Sequence, residues 1–468
     1  MADLSQREGS GLHRGLENRH IQLISIGGAI GTGLFLGAGK TISVSGTSVI
    51  ATYAIIGFFL FFLMRAMGEI LLADLRFKSF VDFCSHYVGP WAGFFVGWSY
   101  WLAWTVGAVA DCAAVSGYLQ LWFPTIPGWI PAFSVLAFIL AMNLVAVRMF
   151  GELEFWFVLV KVVAIVSLIV VGLSMVLVSY TSPSGVHASL GHLFERKSFL
   201  PHGIMGFLAG FQIAIFSFGG IELVGTTAAE AKDPHKTLPR AINSVPIRVL
   251  VFYVLSLATI ISVSSWQGIT ATRSPFVQVF LLAGLPAAAS IINLVVVISA
   301  MSAANSGVFA TSRMLFGMAA SGQGIRSLNR LSRKSVPMRS LFFSGAFMAA
   351  GLSLLFIFPS IMEVFTILST VSAILFIFVW TMILIAYLCY RKSSNKLHVQ
   401  SNFKMPGGKI MASLCLLFFA TIIVVLAMAP DTARGLGAMP IWFLTLLFFY
   451  RRRTNWSTKT AVANIGPR

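Results

Sequence analysis

The chain is 468 residues long, 57% hydrophobic and only 10% charged, which is too little charge to coat a soluble domain of this size. Its formal net charge of +18 raises nucleic acid as a partner. The basic residues, however, cluster on one set of connectors between apolar blocks, and that placement excludes nucleic acid in favour of a lipid bilayer. Four cysteines, Cys84, Cys112, Cys389 and Cys415, have no CxxC spacing and no His-rich companion, so they are read as reduced or lipid-facing, not as a disulfide frame or metal site.

The first twenty residues are polar and carry no apolar h-region, so no cleavable signal peptide is expected and the first apolar segment drives insertion. Apolar blocks then follow at 21–40, 48–72, 91–120, 127–146, 154–180, 203–225, 244–264, 276–305, 340–358, 363–390, 407–429 and 436–450. About 20 apolar residues span a bilayer core as a helix, so the pattern predicts an all-α integral membrane protein with about twelve transmembrane helices. With the N-terminus placed inside, only Lys40, Arg196, Lys197, Arg273 and Arg434, five of the 33 Lys and Arg residues, fall on the opposite side. The positive-inside rule then puts both termini in the cytoplasm. The expected organisation is a tail over 1–19, helices 1–5 over 20–180 and an outer loop over 181–202. Helices 6–10 follow over 203–390, helices 11–12 over 391–452, and a second tail over 453–468.

Two blocks are unusually rich in glycine. Block one reads Ile24-Ser25-Ile26-Gly27-Gly28-Ala29-Ile30-Gly31-Thr32-Gly33-Leu34-Phe35, and block six reads Phe216-Ser217-Phe218-Gly219-Gly220-Ile221-Glu222-Leu223-Val224-Gly225. Each glycine costs roughly 1 kcal/mol of helix propensity against alanine, so such clusters favour local unwinding. The two blocks stand five helices apart, as two five-helix repeats would place them, and an odd count inverts the second repeat. Glycine-interrupted segments at matching positions of two halves point to a transporter binding site. Backbone N–H groups freed beside Gly31, Thr32 and Gly33 suit a carboxylate. Carbonyls freed near Ala29, Phe216 and Gly219 suit an ammonium, so a zwitterion satisfies both sets. The competing reading is close helix packing, because Gly27-xxx-Gly31 and Gly33-xxx-Gly37 are small-xxx-small patterns. A nucleotide loop is excluded, since the run lacks GxGxxG spacing and follows no strand.

Ionisable residues inside the spans are functional candidates by default. Lys161 lies about 10 Å from the inner end of block five at 1.5 Å per residue, where its charge can stand in for a bound sodium ion; the alternative is a lysine snorkelling to the inner surface. Glu222 follows the Gly219-Gly220 pair and either holds a proton or caps the broken helix. Asp111, in the outer half of block three, either lines a cavity or pairs with a neighbouring helix. Arg65, Glu69, Arg248 and Arg313 lie near inner helix ends and read as anchors or gate salt bridges. Phe216 stands at the break, placed either to close over a ligand or simply to pack. GxSxG, HExxH and CxxC motifs are all missing from the sequence, so no enzyme chemistry is expected, and no cofactor or metal.

The run from Asn18 to Phe35 closely resembles the bacterial amino-acid permeases of the amino acid–polyamine–organocation superfamily. So do Met64-Arg65-Ala66-Met67-Gly68-Glu69, Phe155-Trp156-Phe157 with Lys161, and the stretch Gly220 to Glu230. Lys232-Asp233-Pro234, Leu238 to Ile242, Asn305 to Phe309 and Ser312 to Leu315 extend the match over residues 12–455. The stretches Pro286 to Ile291 and Ser302 to Phe309 are most similar to D-serine/D-alanine/glycine permeases. The resemblance implies a LeuT-like 5+5 inverted repeat with broken helices 1 and 6 and two peripheral helices. It implies carboxylate binding by Gly31, Thr32 and Gly33, and amino-group binding by the carbonyls of Ala29, Phe216 and Gly219. Lys161 matches a lysine that stands at the sodium site of related proton-coupled carriers, and Glu222 a glutamate implicated in proton linkage. The expected function is therefore proton-coupled uptake of small neutral amino acids, with no nucleic acid and no obligate protein partner. The competing readings are a permease or exchanger for other neutral or aromatic amino acids, a sodium-coupled carrier, and a receptor that binds an amino acid without moving it.

Overall fold

The computed structural model describes residues 26–463 except 145–146, 196, 227–232, 272, 333–335, 359, 394 and 429. The tail expected over 1–19 and the motif residues Glu230 and Lys232 lie outside the described residues. Everything described is helix or short connector, apart from one isolated bridge between Thr181 and His187. That is the expected solution in lipid, where a helix satisfies its own backbone and an open strand cannot.

In chain order the helices are α1 (Ile26–Phe35, broken within itself), α2 (Gly37–Ser45), α3 (Val49–Ala73), α4 (Phe80–Tyr87), α5 (Pro90–Leu119), α6 (Trp129–Asn143) and α7 (Val147–Leu177). The second half has α8 (Gly203–Ala209), α9 (Phe211–Phe218), α10 (Leu223–Thr226), α11 (Pro234–Val263), α12 (Pro275–Leu282) and α13 (Pro286–Ala320). It ends with α14 (Met338–Leu352), α15 (Leu354–Ile357), α16 (Ile361–Ser393), α17 (Asn395–Gln400), α18 (Gly408–Met428), α19 (Pro430–Gly437) and α20 (Met439–Ala463).

Among the described residues ten helical stretches are long and apolar enough to cross a membrane, against the twelve expected. Blocks one and four account for the difference: they contribute only the shorter apolar helices Ile26–Phe35 and Trp129–Asn143. Block one is interrupted at its glycines, and its opening residues, like the end of block four, fall outside the described set. Block eight, expected as one helix over 276–305, is two. Gly284 turns the chain at φ +75°, and Pro286 starts α13 from the first helical position, where its missing N–H costs nothing. The short helix α4 was not expected. It is nucleated by a capping box in which the Ser79 side chain accepts from the Asp82 backbone and the Asp82 side chain accepts from Ser79 N–H.

Helix α5 runs through the middle, packed along α13, α16 and α14, while α3 packs along α11. In their apolar windows α5 and α16 are 78% and 72% buried within the protein, against 33% for the spans in α7, α14–α15 and α18 and 22% for the last span, which is the most exposed. Cys84, Cys112 and Cys415 are buried within the bundle and so do not face lipid; Cys389 is half-buried.

Candidate functional site

The first helix opens where its glycines cluster. Ile30 N–H still bonds to Ile26 O at 2.9 Å, but Gly31 is fully extended at φ −135°, ψ −154°, and helix resumes only at Thr32. The carbonyls stranded by this break are taken up by side chains from three other helices. Lys161 Nζ on α7 donates to Gly27 O at 2.6 Å, Tyr253 Oη on α11 to Ala29 O at 2.7 Å, and Ser299 Oγ on α13 to Ile30 O at 3.1 Å. Lys161 is fully buried in this role, so it does not reach the inner surface.

The second break follows α9. Gly219 leaves helical geometry at ψ 134°, Gly220 takes φ +107°, and helix resumes at Leu223. Here Glu222 acts as the cap. Its carboxylate accepts the Gly220 N–H at 3.2 Å, the Tyr100 hydroxyl at 3.1 Å and the Trp380 indole N–H at 3.4 Å. The broken helix is thereby tied to α5 and α16. Tyr253 Oη also lies 2.6 Å from Ser217 O. A hydroxyl has one proton, so Tyr253 serves the carbonyls of both breaks in turn.

The two breaks touch. A Cβ on Gly220 would lie 2.6 Å from the Gly28 carbonyl carbon, and one on Gly33 would lie 2.6 Å from Ser217 Cα. At Gly220 the positive φ and the backbone contact both demand glycine. The packing and unwinding readings of these glycines therefore hold together: Gly33 and Gly37 abut Ser217 and Ile213 of α9, while Gly31 opens the chain.

Between the breaks lies a narrow cavity of about 20 Å³. Ala29, Gly31, Thr32, Gly33, Asp111, Phe216 and Gly219 all line it. Asp111 accepts a hydrogen bond from the Thr32 hydroxyl. Phe216 stands edge-on to Phe365, with ring centroids 6.0 Å apart. Lys161 and Glu222 do not line the cavity; they sit behind the first and second break respectively.

Several neighbours of the site carried no signal in the sequence. Together with Gly28, the residues Trp104, Gly107, Ser217, Ala303 and Phe376 complete the lining. Trp104 and Phe376 meet edge to face at 5.6 Å. Glu154 is a fully buried carboxylate bonded to Ser302 Oγ at 2.7 Å, and it abuts Gly27. It stands two turns before Lys161 on α7, a spacing that puts both on one face and was the available clue.

Membrane-length helices gathered around a small cavity, with two broken helices meeting there, are an arrangement that carriers use. The comparison with known proteins agrees: residues 20–459 match the model of the amino acid permease family, and the chain belongs to that family. It is 55% identical over 94% of its length to the D-serine/D-alanine/glycine transporter of Escherichia coli O6:H1, of which it covers 95%. It is 46% identical to the amino-acid permease AapA of Bacillus subtilis, covering 95% of each chain. The aromatic amino acid transport protein AroP of Salmonella typhimurium is 39% identical, covering 94% of this chain and 96% of its own.

Proposed function

We propose that this protein imports small neutral amino acids (glycine, alanine and serine, D-isomers included) together with a proton, by alternating access around the two breaks. The observation that carries this reading is the chemistry of the cavity, where aromatic rings face two stretches of unwound backbone. Trp104, Phe216 and Phe376 close around a space edged by broken backbone, which suits a zwitterion with a short side chain. The substrate class draws further support from the relatives named as D-serine/D-alanine/glycine transporters.

In this reading the substrate carboxylate meets Gly31, Thr32 and Gly33, and its ammonium meets the carbonyls of Ala29, Phe216 and Gly219. Ala29 O already accepts from Tyr253, but a carbonyl has two lone pairs and can accept again. Lys161 and Glu222 couple transport to the proton. A lysine ammonium seated on Gly27 O disfavours a sodium ion at the same carbonyl by like-charge repulsion. The protein works in the cell membrane with both termini in the cytoplasm, as twelve spans whose first ten form two inverted repeats, and without an obligate protein partner.

The test is uptake by purified protein in sodium-free liposomes. Radiolabelled glycine, D-alanine or D-serine should accumulate when the exterior is acidified. Uptake that ignores the pH gradient and follows sodium would sink the coupling. Accumulation restricted to large or charged amino acids would sink the substrate class, and binding without any uptake would identify a receptor.

A further inference from the structure

Asp111 stands in a conflict that the proposed substrate would have to resolve. Its side chain is 5% exposed, it lines the cavity, and Thr32 is its only hydrogen-bond partner among the described residues. The contact reaches the break itself: a Cβ on Gly31 would lie 4.0 Å from Asp111 Oδ1. A carboxylate of the protein thus rests against the residues to which the substrate carboxylate is assigned.

Two carboxylates do not share one small, poorly hydrated site while both are charged, because their repulsion is strong where water is scarce. A proton removes the conflict and adds an attraction. Neutral Asp111 has an O–H to donate, and the incoming carboxylate is an acceptor. The groups around Asp111 leave few other ways to cancel its charge. The titratable side chains that feel it are Lys161 on α7, whose ammonium is engaged by Gly27 O, and Tyr118 and Cys112 on its own helix. The remaining walls present Thr32 from α1, Phe216 and Ser217 from α9, Ala303 from α13 and Phe376 from α16. Along α5 the lining residues Trp104, Gly107 and Asp111 share one face, and Gly107 lets Ser372 and Phe216 approach one turn below the carboxylate.

We infer that Asp111 is the residue that links substrate to proton: it holds Thr32 as an internal carboxylate, and a substrate carboxylate takes its place only as Asp111 gains a proton. Each binding event then consumes one proton from solution, with no covalent change beyond the new O–H bond. This inference rests on the amino-acid reading of the site and moves the substrate-linked proton from Lys161 and Glu222 to Asp111.

The experiment measures glycine and D-alanine binding to the purified full-length protein from pH 5 to pH 8, by quenching of tryptophan fluorescence. Wild type should bind about tenfold more tightly for each unit of acidification over part of this range, the slope of one linked proton. In weak buffer it should take up close to one proton per ligand bound, as follows from that linkage. Asp111→Asn is close in shape and carries no charge, so it should bind with a flat pH profile near the wild-type acid limit and take up no proton. Binding in Asp111→Asn that is weaker at every pH with the slope intact would overturn the inference and leave the proton to Lys161 or Glu222. Should Asp111→Asn fail to fold, proton uptake by wild type on binding glycinamide, which lacks the carboxylate, decides: uptake equal to that with glycine overturns the inference, and little or none supports it. If wild type binds none of these amino acids, the reading of the function fails first, and that outcome is distinct from the others.

Discussion

Replacing Tyr253 with phenylalanine removes one oxygen from the place where both breaks are secured. The ring itself should stay: it packs edge to face on Tyr53 at 5.4 Å and on Phe218 at 5.0 Å, and phenylalanine preserves both contacts. What is lost is the hydroxyl within 2.7 Å of Ala29 O and 2.6 Å of Ser217 O. One proton can serve only one carbonyl at a time, so a single hydrogen bond disappears. It leaves a buried acceptor unpaired, which costs about 1–3 kcal/mol. Tyr253→Phe should therefore unfold a few degrees lower in detergent, since about 1 kcal/mol shifts a large chain by only a degree or two. Glycine affinity should fall by about tenfold if some 1.4 kcal/mol of that order is lost from the site. A variant with unchanged melting and unchanged affinity would refute the reasoning, because the break would then be secured without Tyr253.

Three further changes test other parts of the frame. Gly220→Ala combines a left-handed backbone with a Cβ pressed to 2.6 Å from the Gly28 carbonyl carbon, so it should abolish uptake while exposed helical glycines such as Gly317 tolerate alanine; normal transport by Gly220→Ala would contradict the contact. Lys161→Met strips the ammonium from Gly27 O and from the field of the buried Glu154, at about 3–5 kcal/mol for an orphaned buried charge; adding Glu154→Gln should restore much of the lost thermal stability, and strict additivity of the two would refute the pairing. Glu69 is fully buried and holds the segment after α16, accepting from His398 Nδ1 at 2.5 Å, Tyr387 Oη at 3.1 Å and Met405 N at 2.7 Å. Glu69→Ala should expose residues 395–407 to limited proteolysis, and an unchanged digestion pattern would show that Glu69 does not hold them.

The membrane spans and the two glycine breaks were legible because each rests on local physics: bilayer thickness sets apolar length, and glycine clusters weaken helix wherever they occur. Of the groups that stabilise the breaks, Lys161 and Glu222 were legible as charges inside spans, while Tyr253 and Ser299 were not. Tyr253 and Ser299 lie on helices whose sequences read as ordinary apolar spans, and only the packing of α11 and α13 against α1 brings their hydroxyls to bare carbonyls. Phe376 and Ala303 likewise enter the cavity wall through tertiary packing alone. Block eight was misjudged for a local reason, since Gly284 and Pro286 were there to be read as a stop and a start. From its sequence position Glu222 is either a proton holder or a cap. Its bonds to Gly220 N–H, Tyr100 and Trp380 supply the cap, and a role with protons would have to operate through those same partners.

The way the first break is secured bears on how tightly a small ligand can be held. Glycine and alanine offer few atoms, and small ligands gain at most about 1.5 kcal/mol per heavy atom, so little binding energy is to be had for unwinding a helix. In this protein the chain's own side chains secure the unwound backbone. Gly27, Ala29 and Ile30 give their carbonyls to Lys161, Tyr253 and Ser299, which come from three separate helices. Refolding the break into continuous helix would have to release all three at once. A site kept open in this way spends the substrate's few contacts on recognition. It also makes α7, α11 and α13 report on the state of α1, because any movement of the broken helix must strain or exchange those three bonds.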